Sequence, residues 1–322
     1  MIERHPSHAQ PRAGHALRSR IDRPLSAALG DTVPAPVTAG ASAQLPIGVF
    51  DSGVGGLTVM HALARHLPGE DLLYLGDTAR VPYGARSGDT VRRYSHRVAG
   101  HLWRRGIKAL VVACNTATTW ALPSLSAAGA ALGVPVLGVI EPGAARARAL
   151  TRNGHVGVIG TEGTVRGGAY TAALHAAAPA LRIDAVACPL FVALAEEGWH
   201  EGEIADRVAE RYLAPLRGGP DTLILGCTHY PLLRDSIQRA LPGVRLVDSA
   251  HSTAEATAAL LAAHGLLRPT PRGAHHFLVT DHVERFRSVG ERFLGAPLDA
   301  VELVDIRDDD GDAFGPPGSG QP

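Results

Sequence analysis

Lysine is almost missing from this sequence. Of its 31 basic side chains, thirty are arginine and one is Lys108. Pyridoxal chemistry needs a Schiff-base lysine, and a phosphate-cradling GxxxxGK[ST] loop needs one at its end. Lys108 stands in "RRGIKAL", ahead of an expected strand, and serves neither chemistry; a solvated lysine is the expectation there. Cysteine is scarce as well: Cys114, Cys188 and Cys227, with no CxxC pair. Three such residues build no disulfide framework, argue against structural zinc and suit a reducing compartment. Charge of either sign is not in excess, because 31 acidic residues balance the basic ones. Bulk electrostatics therefore point to no nucleic-acid or membrane partner. No apolar run reaches the roughly 18–20 residues of a membrane span. The histidines are scattered, and His275–His276 read as the exposed start of a strand.

What the sequence does have is alternation. Its 322 residues, 45% hydrophobic and 19% charged, are globular in composition and leave room for two domains. Short apolar runs fall at 47–50, 72–75, 109–113, 135–140, 155–159, 183–187, 222–225, 244–247, 276–279 and 300–304. Between most of them the spacing is helical. Leu57, Met60, Leu63, Ala64 and Leu67 share one face, and Val91, Tyr94, Val98 and Leu102 another. Pro142 and Pro231 suit first turns of helices. Continuous apolar strands separated by helices predict parallel α/β sheets covered on both faces. Residues 1–44 lack apolar periodicity and any secretory apolar segment, and read as a disordered extension; residues 309–322 read as a disordered tail.

An internal repeat runs through this pattern. "GVFDSG" at 48–53 resembles "GVIGTEG" at 157–163, and "LVVACNTAT" at 110–118 resembles "LILGCTHYP" at 223–231, at nearly equal spacing. Two similar α/β halves are therefore expected, each with a cysteine just past an inner strand. Open α/β sheets bind ligands beyond the carboxyl ends of their strands. Asp51, Ser52, Cys114, Asn115, Thr116, Cys227, Thr228 and His229 all fall there.

Each cysteine is also expected where a helix begins, where free N–H groups and the dipole favour a thiolate. One strand-end cysteine is ordinarily a small buried hydrophobe. Two in equivalent places, each with polar neighbours, fit a pair of acid–base groups on opposite faces of one ligand. Such a pair can invert the stereocentre of a carbon acid: one thiolate removes the α-proton and the other thiol returns a proton to the opposite face. Hydrogen bonds to the carboxylate from Ser52, Asn115, Thr116 and Thr228 would stabilise the charge that develops. The loop "IGVFDSGVGGLTV" at 47–59 belongs to this arrangement rather than to a nucleotide site. Thr58 stands where GxGxxG needs its last glycine, no lysine follows, and Asp51 would repel a phosphate.

At these positions the sequence resembles the cofactor-independent glutamate racemases. The matching stretches, in family order, are "IGVFDSGVGGLTV", "GDTARVPYG", "VVACNTAT", "GVIEPG", "GVIGTEGTV", "CPLFVALAEEG" and "LGCTHYPLL". The resemblance implies two similar parallel-sheet, flavodoxin-like α/β domains related by a pseudo-two-fold, with the active site at their interface. The first would comprise 45–135 plus 249–308 and the second 136–248. It implies Cys114 and Cys227 as the catalytic bases, assisted by Asp51, His229 and Glu196. Asp51, Ser52, Pro82, Tyr83, Gly84, Cys114, Asn115, Thr116, Thr118, Thr228 and His229 would bind glutamate. No cofactor, metal or nucleotide is expected. A cytoplasmic homodimer supplying D-glutamate for peptidoglycan is expected; family members are also reported to engage DNA gyrase, on which neither net charge nor any basic patch bears.

Departures from the family pattern are Thr118 and Thr119, and Gly167 with Gly168 after "GTEGTV". Cys188 reads as packing. The thiols themselves fit three further readings: a relative acting on aspartate or another α-substituted acid, a binding protein without turnover, and a redox dithiol.

Overall fold

All ten apolar runs form strands in the computed structural model, which describes residues 43–298 and 300–306. The expectations for most of 1–44 and for 309–322 lie outside the described residues. In chain order the strands are β1 (Ile47–Asp51), β2 (Leu72–Gly76), β3 (Ala109–Val112), β4 (Val136–Gly138), β5 (His155–Gly160), β6 (Arg182–Ala187), β7 (Thr222–Gly226), β8 (Arg245–Asp248), β9 (His275–Val279) and β10 (Val301–Leu303). The helices are α1 (Leu57–His66), α2 (Gly88–Arg104), α3 (Asn115–Leu132), α4 (Ile140–Leu150), α5 (Glu162–Gly167), α6 (Ala169–Ala177), α7 (Leu190–Glu197), α8 (Glu203–Leu213), α9 (Arg234–Ala240), α10 (Ser249–Ala263) and α11 (Val283–Leu294).

Two parallel sheets result. One has the order β10-β9-β2-β1-β3-β4 and the other β6-β5-β7-β8. The repeat seen in the sequence is thus a repeat of topology, because β2-β1-β3-β4 and β6-β5-β7-β8 are the same arrangement. The last two strands extend the first sheet beyond β2, so the chain returns to the first half after completing the second. Inner strands β1, β3, β5 and β7 are buried along their whole length, which is why they read as continuous apolar runs rather than alternating ones.

Local signals set the helix ends. The Ser87 hydroxyl accepts from the Thr90 N–H at the start of α2, and Thr161 accepts from Thr164 at the start of α5. Gly133 and Gly198 close α3 and α7 in the left-handed conformation. One apolar cluster passes from Val49 and Leu57 in the first half to Leu223, Leu225 and Phe191 in the second, with Phe286 and Phe293 of α11 between them. The two sheets therefore share a core. Among the described residues no helix is long and apolar enough to cross a membrane.

Two expectations fail at the strand-entry end of the first sheet. Lys108 is not solvated: it is buried in an ion pair with Glu70 and donates to Ala43 O at 2.9 Å. β3 is an inner strand, so its start is covered by protein, here by residues 43–44 and the segment around Arg268. Arg268 in turn bridges to Asp71 at 2.7 Å. Burial draws the Lys108 ammonium below its ordinary pKa, against the opposing pull of Glu70. His275 and His276 are half-buried rather than exposed, because they pair with Leu72 and Leu73 of β2.

Candidate active site

The carboxyl ends of the inner strands of both sheets converge on one cleft of about 430 Å³. Ser52, Pro82, Tyr83, Gly84, Cys114, Asn115, Thr116, Glu196, Cys227, Thr228 and His229 line it. Two expected residues do not. Asp51 is fully buried behind the wall. Thr118 has turned away, its hydroxyl donating to Val112 O at 3.0 Å and its methyl lying against Gly138. It sits one helical turn beyond Cys114, on the side of α3 that packs on the sheet.

Cys114 lies two residues past β3 and caps α3. Its sulfur accepts from the Ala117 N–H at 3.4 Å, and its thiol donates to Ser52 Oγ at 3.5 Å. The helix start is present as expected, but the thiol is not made more acidic. Burial, and then the neighbouring Asp51 carboxylate, push it up to about 12. Asp51 ends β1. Its Oδ2 accepts from the Gly53 N–H at 2.9 Å, while Oδ1 has no hydrogen-bond partner among the described residues. Burial raises its carboxyl as well, partly countered by the charge of His229.

Cys227 follows β7 in a different setting. No α-helix begins at it; a 3₁₀ turn runs over Tyr230–Leu233, capped by His229, and α9 starts only at Arg234. An imidazole takes the place of the expected helix terminus. His229 Nδ1 lies 3.7 Å from Cys227 Sγ and Nε2 lies 3.0 Å from Glu196 Oε1. Burial alone would push this histidine down. The hydrogen bonds to Cys227 and Glu196 outweigh it and raise the ring to about 10. Glu196 is also pulled by burial toward the neutral form, yet His229 and Arg285 hold its carboxyl below the usual value. The Phe293 ring meets the His229 ring edge-on, with centroids 5.3 Å apart. The two sulfurs are thus equivalent by topology and unlike in chemistry: a protonated thiol beside a carboxyl, and a sulfur beside an imidazolium.

Asn115 and Thr116 form the first turn of α3. Tyr170 of α6 donates to Asn115 Oδ1 at 2.7 Å, which leaves Nδ2 as a buried donor with no partner among the described residues. A buried donor left open in a cleft is what a bound acceptor would complete. Thr116 joins Thr161 and Thr164 in a triangle of hydroxyls 2.9–3.1 Å apart, linking α3 to the start of α5. Tyr83 contributes its ring, because its hydroxyl is held by Asp77 Oδ2 at 2.6 Å.

Close approach explains two glycines. A Cβ on Gly55 would lie 2.3 Å from Thr228 Oγ1 and 2.5 Å from His229 Nδ1. One on Gly84 would lie 2.7 Å from Thr161 Cβ. The glycine loop after β1 thus admits the second half's polar residues. Thr161, Glu162, Val192 and Ala193 also line the cleft and were not anticipated. The repeat carried a signal for the first of them, since it aligns Thr161 with Ser52. Cys188 is fully buried, with its carbonyl accepting from Tyr230 at 2.9 Å. No group of three or more His, Cys, Asp or Glu that could hold a metal occurs among the described residues.

Residues 47–257 match the family model for Asp/Glu/hydantoin racemases. A glutamate racemase of Geobacter metallireducens is 54% identical over 263 residues, covering 81% of this chain and 96% of its own. The crystal structure of glutamate racemase from Thermus thermophilus in complex with β-chloro-D-alanine is 50% identical, with a TM-score of 0.74 over 83% of this chain and 99% of that one. That of Francisella tularensis glutamate racemase in complex with D-glutamate is 37% identical, with a TM-score of 0.77 over 82% and 98%.

Proposed function

Because this chain belongs to the Asp/Glu/hydantoin racemase family and, within it, to the glutamate racemases, we propose that it interconverts L- and D-glutamate by passing the α-proton between Cys114 and Cys227. The observation that carries this reading is that two thiols from different sheets line one cleft, with an open amide donor, Asn115 Nδ2, beside the first of them.

In this reading glutamate binds with its Cα between the sulfurs. One thiolate takes the α-proton from one face, and the C–H electron pair moves into the α-carboxylate as an enediolate. The opposite thiol then gives its proton to the other face of the same carbon. One C–H bond breaks, one forms, and a proton has moved from one sulfur to the other. When Cys227 is the base, the His229 ring, whose Nδ1 lies 3.7 Å from Sγ, is the group beside it. Cys114 starts as the proton donor, since burial keeps its thiol protonated. After a turnover the charges are reversed, and Asp51 is placed to share the proton that the Cys114 side must then manage.

Asn115 Nδ2, the hydroxyls of Ser52 and Thr228, and the first N–H groups of α3 supply donors to the enediolate. One preorganised donor of this kind contributes about 10²–10³ in rate. Closure of the halves, 45–135 with 249–308 against 136–248, excludes water and strengthens these bonds. The product, D-glutamate, serves peptidoglycan precursors in the cytoplasm.

The test is to incubate the purified enzyme with L-glutamate in deuterium oxide without added cofactor. Deuterium should enter the α-position as the circular dichroism decays to zero. The same assay with L-aspartate decides substrate: equal or faster loss with aspartate would overturn the glutamate assignment. Racemisation without exchange would overturn the proton-transfer chemistry.

A further inference from the structure

The final helix, α11, reaches the Cys227 side of the cleft from the first half of the molecule. It packs against α1 through Gly290, where a Cβ would fall 2.8 Å from Leu57 Cδ1. Phe286 lies 5.9 Å, centroid to centroid, from the Tyr74 ring, whose hydroxyl holds Gly53 O at 2.8 Å beside Asp51. The same helix makes three contacts with the second half. Arg285 Nη2 lies 3.4 Å from Glu196 Oε2 and 3.3 Å from Glu197 Oε1. Arg292 Nη1 donates to Glu196 O at 2.6 Å, at the end of α7. Phe293 meets the His229 ring edge-on.

The division of Glu196 is the informative part. One carboxylate oxygen, Oε1, holds His229 Nε2, and the other, Oε2, faces Arg285. The main-chain carbonyl of the same residue is held by Arg292. A glutamate at the end of a short helix has three side-chain torsions to fix. Here both carboxylate oxygens and the backbone are engaged, and two of the three partners lie on α11. We propose that Arg285 is a positioning residue for the Cys227 half of the reaction, clamping Glu196 through Oε2 so that Oε1, on His229 Nε2, keeps Nδ1 turned toward the thiol.

This inference rests on the two-thiol reading above. It assigns the return of the chain to the first sheet a purpose: the segment after β8 brings a guanidinium and an aromatic ring under the proton relay of the opposite half. Among the described residues no equivalent clamp serves Cys114, whose companion Asp51 is held by the Gly53 N–H of its own loop.

Racemisation of enantiomers has an equilibrium constant of one, so kcat/KM must fall equally in both directions whichever thiol is affected. The side affected appears instead in the isotope effects with α-deuterated L- and D-glutamate. Arg285→Ala should lower kcat/KM about five-fold, the range of a partly exposed ion pair. The deuterium isotope effect on kcat/KM should rise for the enantiomer whose deuteron goes to Cys227 and fall for the other. That enantiomer is identified independently as the one whose exchange Cys227→Ser abolishes. Arg285→Lys, which keeps the charge, should restore most of the rate and the wild-type isotope effects. Unchanged isotope effects in an impaired Arg285→Ala enzyme, or a lysine variant no better than alanine, overturns the positioning role. A wild-type enzyme that does not racemise glutamate overturns the earlier reading instead, so the two failures are distinguishable.

Discussion

Replacing Gly55 by alanine tests the cleft by geometry alone. The added Cβ would sit 2.3 Å from Thr228 Oγ1 and 2.5 Å from His229 Nδ1. Ordinary contact is at roughly 3.5 Å, so either the loop or the two polar side chains must give by about 1 Å. The loop is poorly placed to move. Thr58 Oγ1 binds both Gly55 O at 3.0 Å and Thr228 O at 3.3 Å, and the next glycine, Gly56, already abuts Asp51. His229 is therefore expected to shift away from Cys227 Sγ. A misplacement of about 1 Å at a reacting group costs on the order of 10²-fold in rate. Overpacking adds about 1–3 kcal/mol of destabilisation. Circular dichroism follows the racemisation, and a thermal melt separates unfolding from the local effect. Gly133→Ala is the control, because its left-handed φ of 69° strains an alanine while nothing lies within 4 Å of the new methyl. The control should melt lower and keep its kcat/KM. A Gly55→Ala enzyme with wild-type kcat/KM would refute the placement of His229 as a working group.

Three other experiments probe different parts of the molecule. Cys114→Ser and Cys227→Ser should each lower racemisation by about 10²–10⁴-fold, while each still exchanges the α-proton of one enantiomer; near-normal racemisation by either removes the two-thiol chemistry. Gly167→Ala would drive a Cβ to 2.1 Å from Thr119 Cγ2 and should destabilise by about 1–3 kcal/mol; adding Thr119→Ala should recover most of it in a denaturant-melt cycle, and strict additivity would deny the coupling. Glu70→Gln leaves Lys108 buried with half its partners and should cost about 3–5 kcal/mol; a loss below ~1 kcal/mol in chemical denaturation would mean that the pair is solvated after all.

The strands were legible because buried parallel strands leave no alternation to misread, and the paired cysteines because the chain repeats one topology. The cleft's remaining residues divide by how far their environment reaches along the chain. Asn115, Thr228 and Ser52 follow directly from strand ends. Thr118 was misplaced because matching a motif does not say which side of a helix a residue faces, and here that side packs on β4. Lys108 was misjudged because its cover, Ala43 and the segment near Arg268, is distant in sequence. The acidity of Cys114 was misjudged because a helix terminus was weighed without the burial that accompanies it. At Cys227 the same reasoning failed for a different cause: an imidazole replaced the helix. The two departures noted in the sequence, Thr119 and Gly167, turn out to be one feature, since the missing side chain makes room for the threonine methyl.

The unlike settings of the two sulfurs give the empty enzyme a memory. On the proposed chemistry, each turnover leaves the proton on the other side of the cleft from where it began. Burial beside Asp51 disfavours the form with a Cys114 thiolate, so the two are not isoenergetic. An enzyme that has just converted one enantiomer is primed for the reverse reaction, and must exchange protons with water before repeating the same one. At low substrate that exchange is silent. On the same chemistry, saturating substrate makes proton return on the Asp51 and His229 sides compete with C–H cleavage as the step that caps flux.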